Sequence, residues 1–130
     1  MRTLILFTTI VVISFLLAAC TAGGNSETPP AAVGMIITAE TNPTPAKVGD
    51  VEIILSVKDV QGNLITGAAV SVFADHTDMM GMNMTGQATE QGEGRYAIQA
   101  NFSMSGNWML KVDVKQDGQS VVQEIPLLIK

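Results

Sequence analysis

The chain has 130 residues, 47% of them hydrophobic and 15% charged, with a formal net charge of −5. That length leaves room for one domain, not several. The acidic balance, without clustered Lys and Arg, excludes a nucleic-acid binder, and the supply of Val, Ile and Leu excludes disorder for the bulk of the chain.

The apolar residues are unevenly placed. Fourteen of the sixty-one lie in the first nineteen positions, so residues 20–130 have the composition of an ordinary globular domain. Arg2 gives a positive start, and the apolar run Thr3 to Leu17 is shorter than the roughly 20 residues a bilayer-spanning helix needs. It ends in Leu17-Ala18-Ala19-Cys20, which resembles the lipobox of bacterial lipoproteins. The expectation is a signal peptide over 1–19 and a diacylated (palmitate-type) Cys20 as the mature N-terminus. Lipid on Cys20 anchors a protein to a membrane without spanning it. The expected location is therefore the cell envelope, at the outer face of the plasma membrane or at an outer membrane reached through the periplasm. Cys20 is the only Cys, so acylation leaves the mature chain without a thiol or a disulfide. Residues 20–33, rich in small residues, Pro and Gly, read as the lipidated Cys and a flexible tether to a domain at 34–130.

From Gly34 onward the hydrophobic period is two. Val51, Ile53, Leu55 and Val57 alternate with polar or outward neighbours, as do Tyr96, Ile98, Ala100 and Phe102, and then Trp108, Leu110, Val112 and Val114. One apolar face per run marks half-buried antiparallel strands. Turn residues at 42–45, 61–63, 92–94, 105–107 and 116–118 separate the runs. Strands are expected near 34–40, 50–59, 68–75, 84–90, 94–103, 107–116 and 119–129. Seven short strands without a competing helix make an all-β, immunoglobulin-like antiparallel β-sandwich. Trp108 reads as a core anchor, and Asp117-Gly118 as the tight turn of the last hairpin.

Several motifs fail on context. Gly92-Glu93-Gly94-Arg95-Tyr96-Ala97 fits a dinucleotide-binding pattern but opens a strand, so it is a turn. Asp113, Asp117, Gly118 and Glu124 match four positions of a calcium loop, yet Lys115 occupies a ligand position. His76 is the only His, and no nucleophile elbow accompanies any Ser, so no enzyme is expected.

The chemistry gathers in His76-Thr77-Asp78-Met79-Met80-Gly81-Met82-Asn83-Met84, with Met104 further on. Thioether sulfur is a soft, neutral ligand that prefers Cu(I), loses no proton on binding and forms no disulfide in an oxidising compartment. Zinc wants several His or Cys, and a blue-copper site wants two His and a Cys. Cu(II) on His76 with Asp75 or Asp78 would be weak. Met is also a core gap-filler and a component of greasy partner surfaces. The loop-like setting with small spacers Gly81 and Asn83 favours ligands: His76, Met79, Met80, Met82 and Met84, with Met104 closing the site.

In succession, Ala46-Lys47-Val48-Gly49-Asp50, Val57-Lys58-Asp59-Val60-Gln61-Gly62-Asn63, Thr66-Gly67-Ala68-Ala69-Val70, the Met loop, Gly92-Glu93-Gly94-Arg95-Tyr96 and Phe102-Ser103-Met104-Ser105-Gly106-Asn107-Trp108 resemble the YtkA-like (FixH-related) domain over roughly 46–129. The family often carries Met-Pro in its loop, where this chain has Met79-Met80. The resemblance implies an immunoglobulin-like sandwich outside the cytoplasm, associated with copper handling and respiratory oxidase assembly. The resulting expectation is a lipid-anchored Cu(I) carrier or buffer that passes copper to a membrane or periplasmic protein. Its rival is a non-metal interaction module whose Met loop docks on a membrane partner.

Overall fold

A computed structural model describes residues 34–130; the expected signal peptide, Cys20 and tether lie outside the described residues. Seven strands follow in chain order: β1 (Met35–Asn42), β2 (Gly49–Asp59), β3 (Ala69–His76), β4 (Asn83–Gly92), β5 (Arg95–Phe102), β6 (Gly106–Gln116) and β7 (Gln119–Ile129). The fold is all-β and antiparallel, as the alternation requires, and each expected strand is present within two residues at either end. Among the described residues no helix is long and apolar enough to cross a membrane.

The strand order is β1-β2-β5-β4-β3-β6-β7. β1, β2 and β5 form one layer, and β3, β6 and β7 the other. β4 links them by changing partner: Asn83 to Ala88 pair with β3, whereas Thr89 to Gly92 pair with β5. A register shift between Glu90 and Gly92 accompanies the change. The result is a nearly closed sandwich.

The core is what the period-two pattern supplies. Val51, Ile53, Leu55 and Val57 of β2 meet Tyr96, Ala100 and Phe102 of β5, and Val70, Val72 and Ala74 of β3 meet Trp108, Leu110, Val112 and Val114 of β6. Each fully buried Val, Leu or Ile contributes about 1.5–3 kcal/mol relative to exposure. The β4–β5 and β6–β7 hairpins turn through two residues with positive φ, Glu93 (52°) and Gly94 (67°), then Asp117 (51°) and Gly118 (76°). That is the turn whose twist matches the strands it joins.

Three side chains add hydrogen bonds beyond the ladders. Asp59 caps the long β2–β3 connection, its Oδ1 accepting from the N–H groups of Gln61 (2.9 Å) and Asn63 (2.8 Å) and its Oδ2 from Asn63 Nδ2 (2.8 Å). The buried Tyr96 hydroxyl donates to Ile65 O (2.9 Å) and accepts from Ala68 N–H (3.1 Å), pinning the same connection to β5. Across the seam between the outer strands β1 and β7, Gln123 acts as a substitute peptide. Its Nε2 donates to Ile37 O (2.9 Å) and its Oε1 accepts from Ile37 N–H (3.2 Å).

Candidate metal centre at the methionine loop

β3 sends Val70, Val72, Ala74 and His76 into the core, so the alternation that buries the first three also buries the imidazole. His76 is 5% exposed and is the one polar residue among those buried in the described part of the chain. A buried imidazole requires partners for both nitrogens. Nδ1 accepts from Asp78 N–H (3.2 Å), and Nε2 faces Ser105 O (3.2 Å). With Nδ1 accepting, Nε2 is the nitrogen placed to donate, toward Ser105 O. The ring stands edge-on to Trp108, centroids 5.0 Å apart at 73°, and Trp108 in turn stands edge-on to Phe102 at 5.0 Å and 77°.

Two loops meet at this end of the sandwich. His76 N–H donates to Met82 O (2.9 Å), closing the β3–β4 loop, in which Gly81 takes a φ of 85°. Thr77 donates to Asn107 O through both N–H (2.9 Å) and Oγ1 (3.0 Å), joining that loop to the start of β6. On the β5–β6 side, Trp108 Nε1 donates to Met104 O (3.3 Å). Gly106 passes so close to the ring that a Cβ there would lie 2.7 Å from His76 Nε2, and its φ is 131°. Only glycine fits both conditions without strain.

The methionines divide into two groups. Met80 is fully exposed at the loop tip, Met79 is 44% exposed and Met104 is 36% exposed. Met82 and Met84 are half-buried and pack against the core. The stretch that reads as loop is therefore only partly so. Met84 belongs to β4, opposite Ala74, and Met82, Met84, Gly86 and Ala88 alternate along the half-buried face. Hydrogen bonds draw His76, the loop bearing Met79, Met80 and Met82, and the loop bearing Met104 to one end, while Met84 lies further along β4. Among the described residues no three His, Cys, Asp or Glu side chains gather where they could hold a metal ion. The donors at this end are thus chiefly neutral thioethers. His76 fits such a set only in part. Its Nε2 is backed by Gly106, and Nδ1 would reach a metal by giving up the Asp78 N–H. Ser105 and Asp78, which hold the ring, carry no signal in the sequence because they act through backbone groups. Gly106, two residues before Trp108, was the available clue.

The profile of the YtkA-like family matches residues 34–113, more than half of the chain. The chain belongs to the YtkA-like family. The marks that carried the resemblance now have physical meaning in this YtkA-like domain. In Gly92-Glu93-Gly94-Arg95-Tyr96, Gly94 lets the hairpin approach Val57 O, where a Cβ would lie at 2.9 Å, and Tyr96 pins the β2–β3 connection. In Met104-Ser105-Gly106-Asn107-Trp108, Met104 O accepts from Trp108 Nε1, Ser105 O meets His76 Nε2 and Gly106 makes room for that ring. Among solved structures, the soluble domain of PmoD from Methylocystis sp. ATCC 49242 (Rockwell) superposes with a TM-score of 0.50 at 9% identity, over 75% of this chain and 92% of that one. At that identity the likeness shows a shared fold. A comparison with curated proteins gave no match.

Proposed function

We propose that this YtkA-like protein is a lipid-anchored, extracytoplasmic Cu(I) carrier or buffer that passes its ion to a membrane or periplasmic acceptor, respiratory oxidase assembly being the process the family association suggests. The observation that carries the reading is the convergence of two Met-bearing loops on His76. Met79, Met80 and Met82 on one loop and Met104 on the other offer soft, uncharged sulfur donors, which match Cu(I) better than hard or borderline cations. His76 organises the site through Nδ1 and Nε2 and joins the ligand set only by exchanging its hydrogen bond with Asp78 for the metal. The lipid would come from Cys20, consistent with a site built without thiolates.

Exposure also supports a second reading. Met80 is fully exposed and Met79 nearly half, as expected of a flexible apolar tip that docks on a partner. Changing Met79, Met80, Met82 and Met84 together to Leu separates the two. Under the copper reading, Cu(I) competition titration loses the site with the sulfurs. Under the docking reading, pull-down of a membrane partner survives the change. Failure of the wild-type protein to bind Cu(I) more tightly than about micromolar, roughly −8.2 kcal/mol, overturns the copper reading.

A further inference from the structure

The change of partner in β4 leaves a second feature, independent of the copper reading. β5 pairs with β2 along its whole length, from Arg95↔Ser56 to Phe102↔Gly49. β4 pairs with β3 from Asn83 to Ala88. Between β4 and β5 the ladder stops at Thr89↔Ala97. Beyond that point the strands splay, and Asn83 to Ala88 face Ile98 to Phe102 as two unpaired edges. A cleft of about 750 Å³ lies between them. Val72, Ala74, Met84, Gly86, Ile98 and Ala100 line its apolar side, and Glu52, Gln87, Gln99 and Asn101 its polar side.

The opposite seam of the sandwich, between β1 and β7, is held by the Gln123 amide on Ile37. The β4–β5 seam has no such bridge among the described hydrogen bonds. Nor do its edges carry the usual protection. Asn83-Met84-Thr85-Gly86-Gln87-Ala88 and Ile98-Gln99-Ala100-Asn101-Phe102 contain no Lys and no Pro, the residues that ordinarily discourage an added strand.

We infer that this cleft is a strand-acceptor site for an extended segment of a partner protein, apolar at alternate positions and basic on its outward face. A strand added between the two edges pairs about 4.8 Å from each, as in β-augmentation. It enters from the open end at Asn83 and Phe102 and parts the strands where Ile98 Cδ1 lies against Gly86. Inward side chains of the segment would pack on Met84, Gly86 and Ile98, with Ile98 Cδ1 turning aside from Gly86. Outward ones would lie beside Gln99 and Asn101, with Glu52 in the lining and Asp50 just beyond, where Asn101 Nδ2 donates to it (2.7 Å). The lining holds an acidic side chain and no basic one, which selects Lys or Arg in the guest. A second copy of this acidic chain, at −5, is the poorer match. An acyl chain would leave both rows of backbone groups unpaired.

The test uses the full chain and an acetylated, amidated heptapeptide, Thr-Val-Lys-Val-Lys-Ala-Thr, followed by amide hydrogen exchange. The expected result is at least tenfold slower exchange in Asn83 to Ala88 and Ile98 to Phe102 at saturating peptide. The same peptide N-methylated at both Lys and the last Thr keeps its side chains, loses donors toward one edge and should bind at least tenfold more weakly. Replacing both Lys by Glu should weaken it by a similar factor. Gly86→Val places a Cβ about where Ile98 Cδ1 already lies (2.7 Å) and should abolish binding. If that variant does not fold, the N-methyl comparison on the unaltered protein decides. Unchanged exchange at millimolar peptide, or equal affinity for the N-methylated peptide, overturns the proposal. So does protection that rises with protein concentration in the absence of peptide, which would make the occupant a second copy.

Discussion

His76 lies in the core because two backbone groups, Asp78 N–H and Ser105 O, replace the water it leaves, and because Gly106 makes room for Nε2. Adding a methyl group at Gly106 must displace either the ring or the β5–β6 loop. Gly106→Ala should destabilise the domain by about 1–3 kcal/mol, the usual range for a strained backbone position. Chemical denaturation measures the loss, and ¹⁵N shifts of the imidazole should move with it. Tyr96 presents the converse case. Its hydroxyl serves two backbone groups, and burial pushes the phenol above its ordinary pKa. Tyr96→Phe leaves Ile65 O and Ala68 N–H without their partner and should cost about 1–3 kcal/mol in the same assay. Asp59 carries a pH dependence. Hydrogen bonds, the Asn63 side chain first and the Asn63, Gln61 and Gly62 backbone after it, hold its carboxyl below the ordinary range. A carboxylate whose pKa is lower folded than unfolded contributes stability above the unfolded value, near 4, and loses it as pH falls through the folded value. The melting-temperature difference between the wild type and Asp59→Asn should therefore shrink between about pH 5 and pH 3.

At the scale of strands, legibility followed burial. β2, β5 and β6 were plain in the sequence because each alternates large apolar residues with polar ones, and the β6–β7 turn was plain in Asp117-Gly118. β4 was harder. Its half-buried row, Met84, Gly86 and Ala88, continues Met82 of the loop, two flexible residues and two small ones, so the same letters read as a ligand loop and as a strand. Nothing local signals that β4 leaves β3 for β5 after Ala88, since that depends on where distant strands come to lie. The Gln123 bridge to Ile37 was invisible for the same reason: its partners lie 86 residues apart. It yields a prediction about the seam. Gln123→Leu should cost about 1–2 kcal/mol, because Ile37 N–H and O lose their partners at a half-buried edge. Exchange of the Ile37 amide should accelerate, while amides in β3 and β6 keep their protection.

For the molecule as a whole, the sandwich explains how a chain with one Cys gathers soft sulfur donors at one end. Two apolar layers pack the strands, and His76, Thr77 and Trp108 tie the β3–β4 and β5–β6 loops to them. The methionines are then presented from a fixed base, with sulfur at graded exposure from Met84 inward to Met80 outward. The composition that classes them as hydrophobic does not distinguish a packing sulfur from a binding one. Cu(I) competition titration of the wild-type protein against the variant with Met79, Met80, Met82 and Met84 changed to Leu makes that distinction. A Cu(I) site at this end requires wild-type affinity tighter than about micromolar and a loss of more than about tenfold, or 1.4 kcal/mol, in the variant. Equal affinity of the two proteins, or wild-type binding no tighter than micromolar, would contradict it.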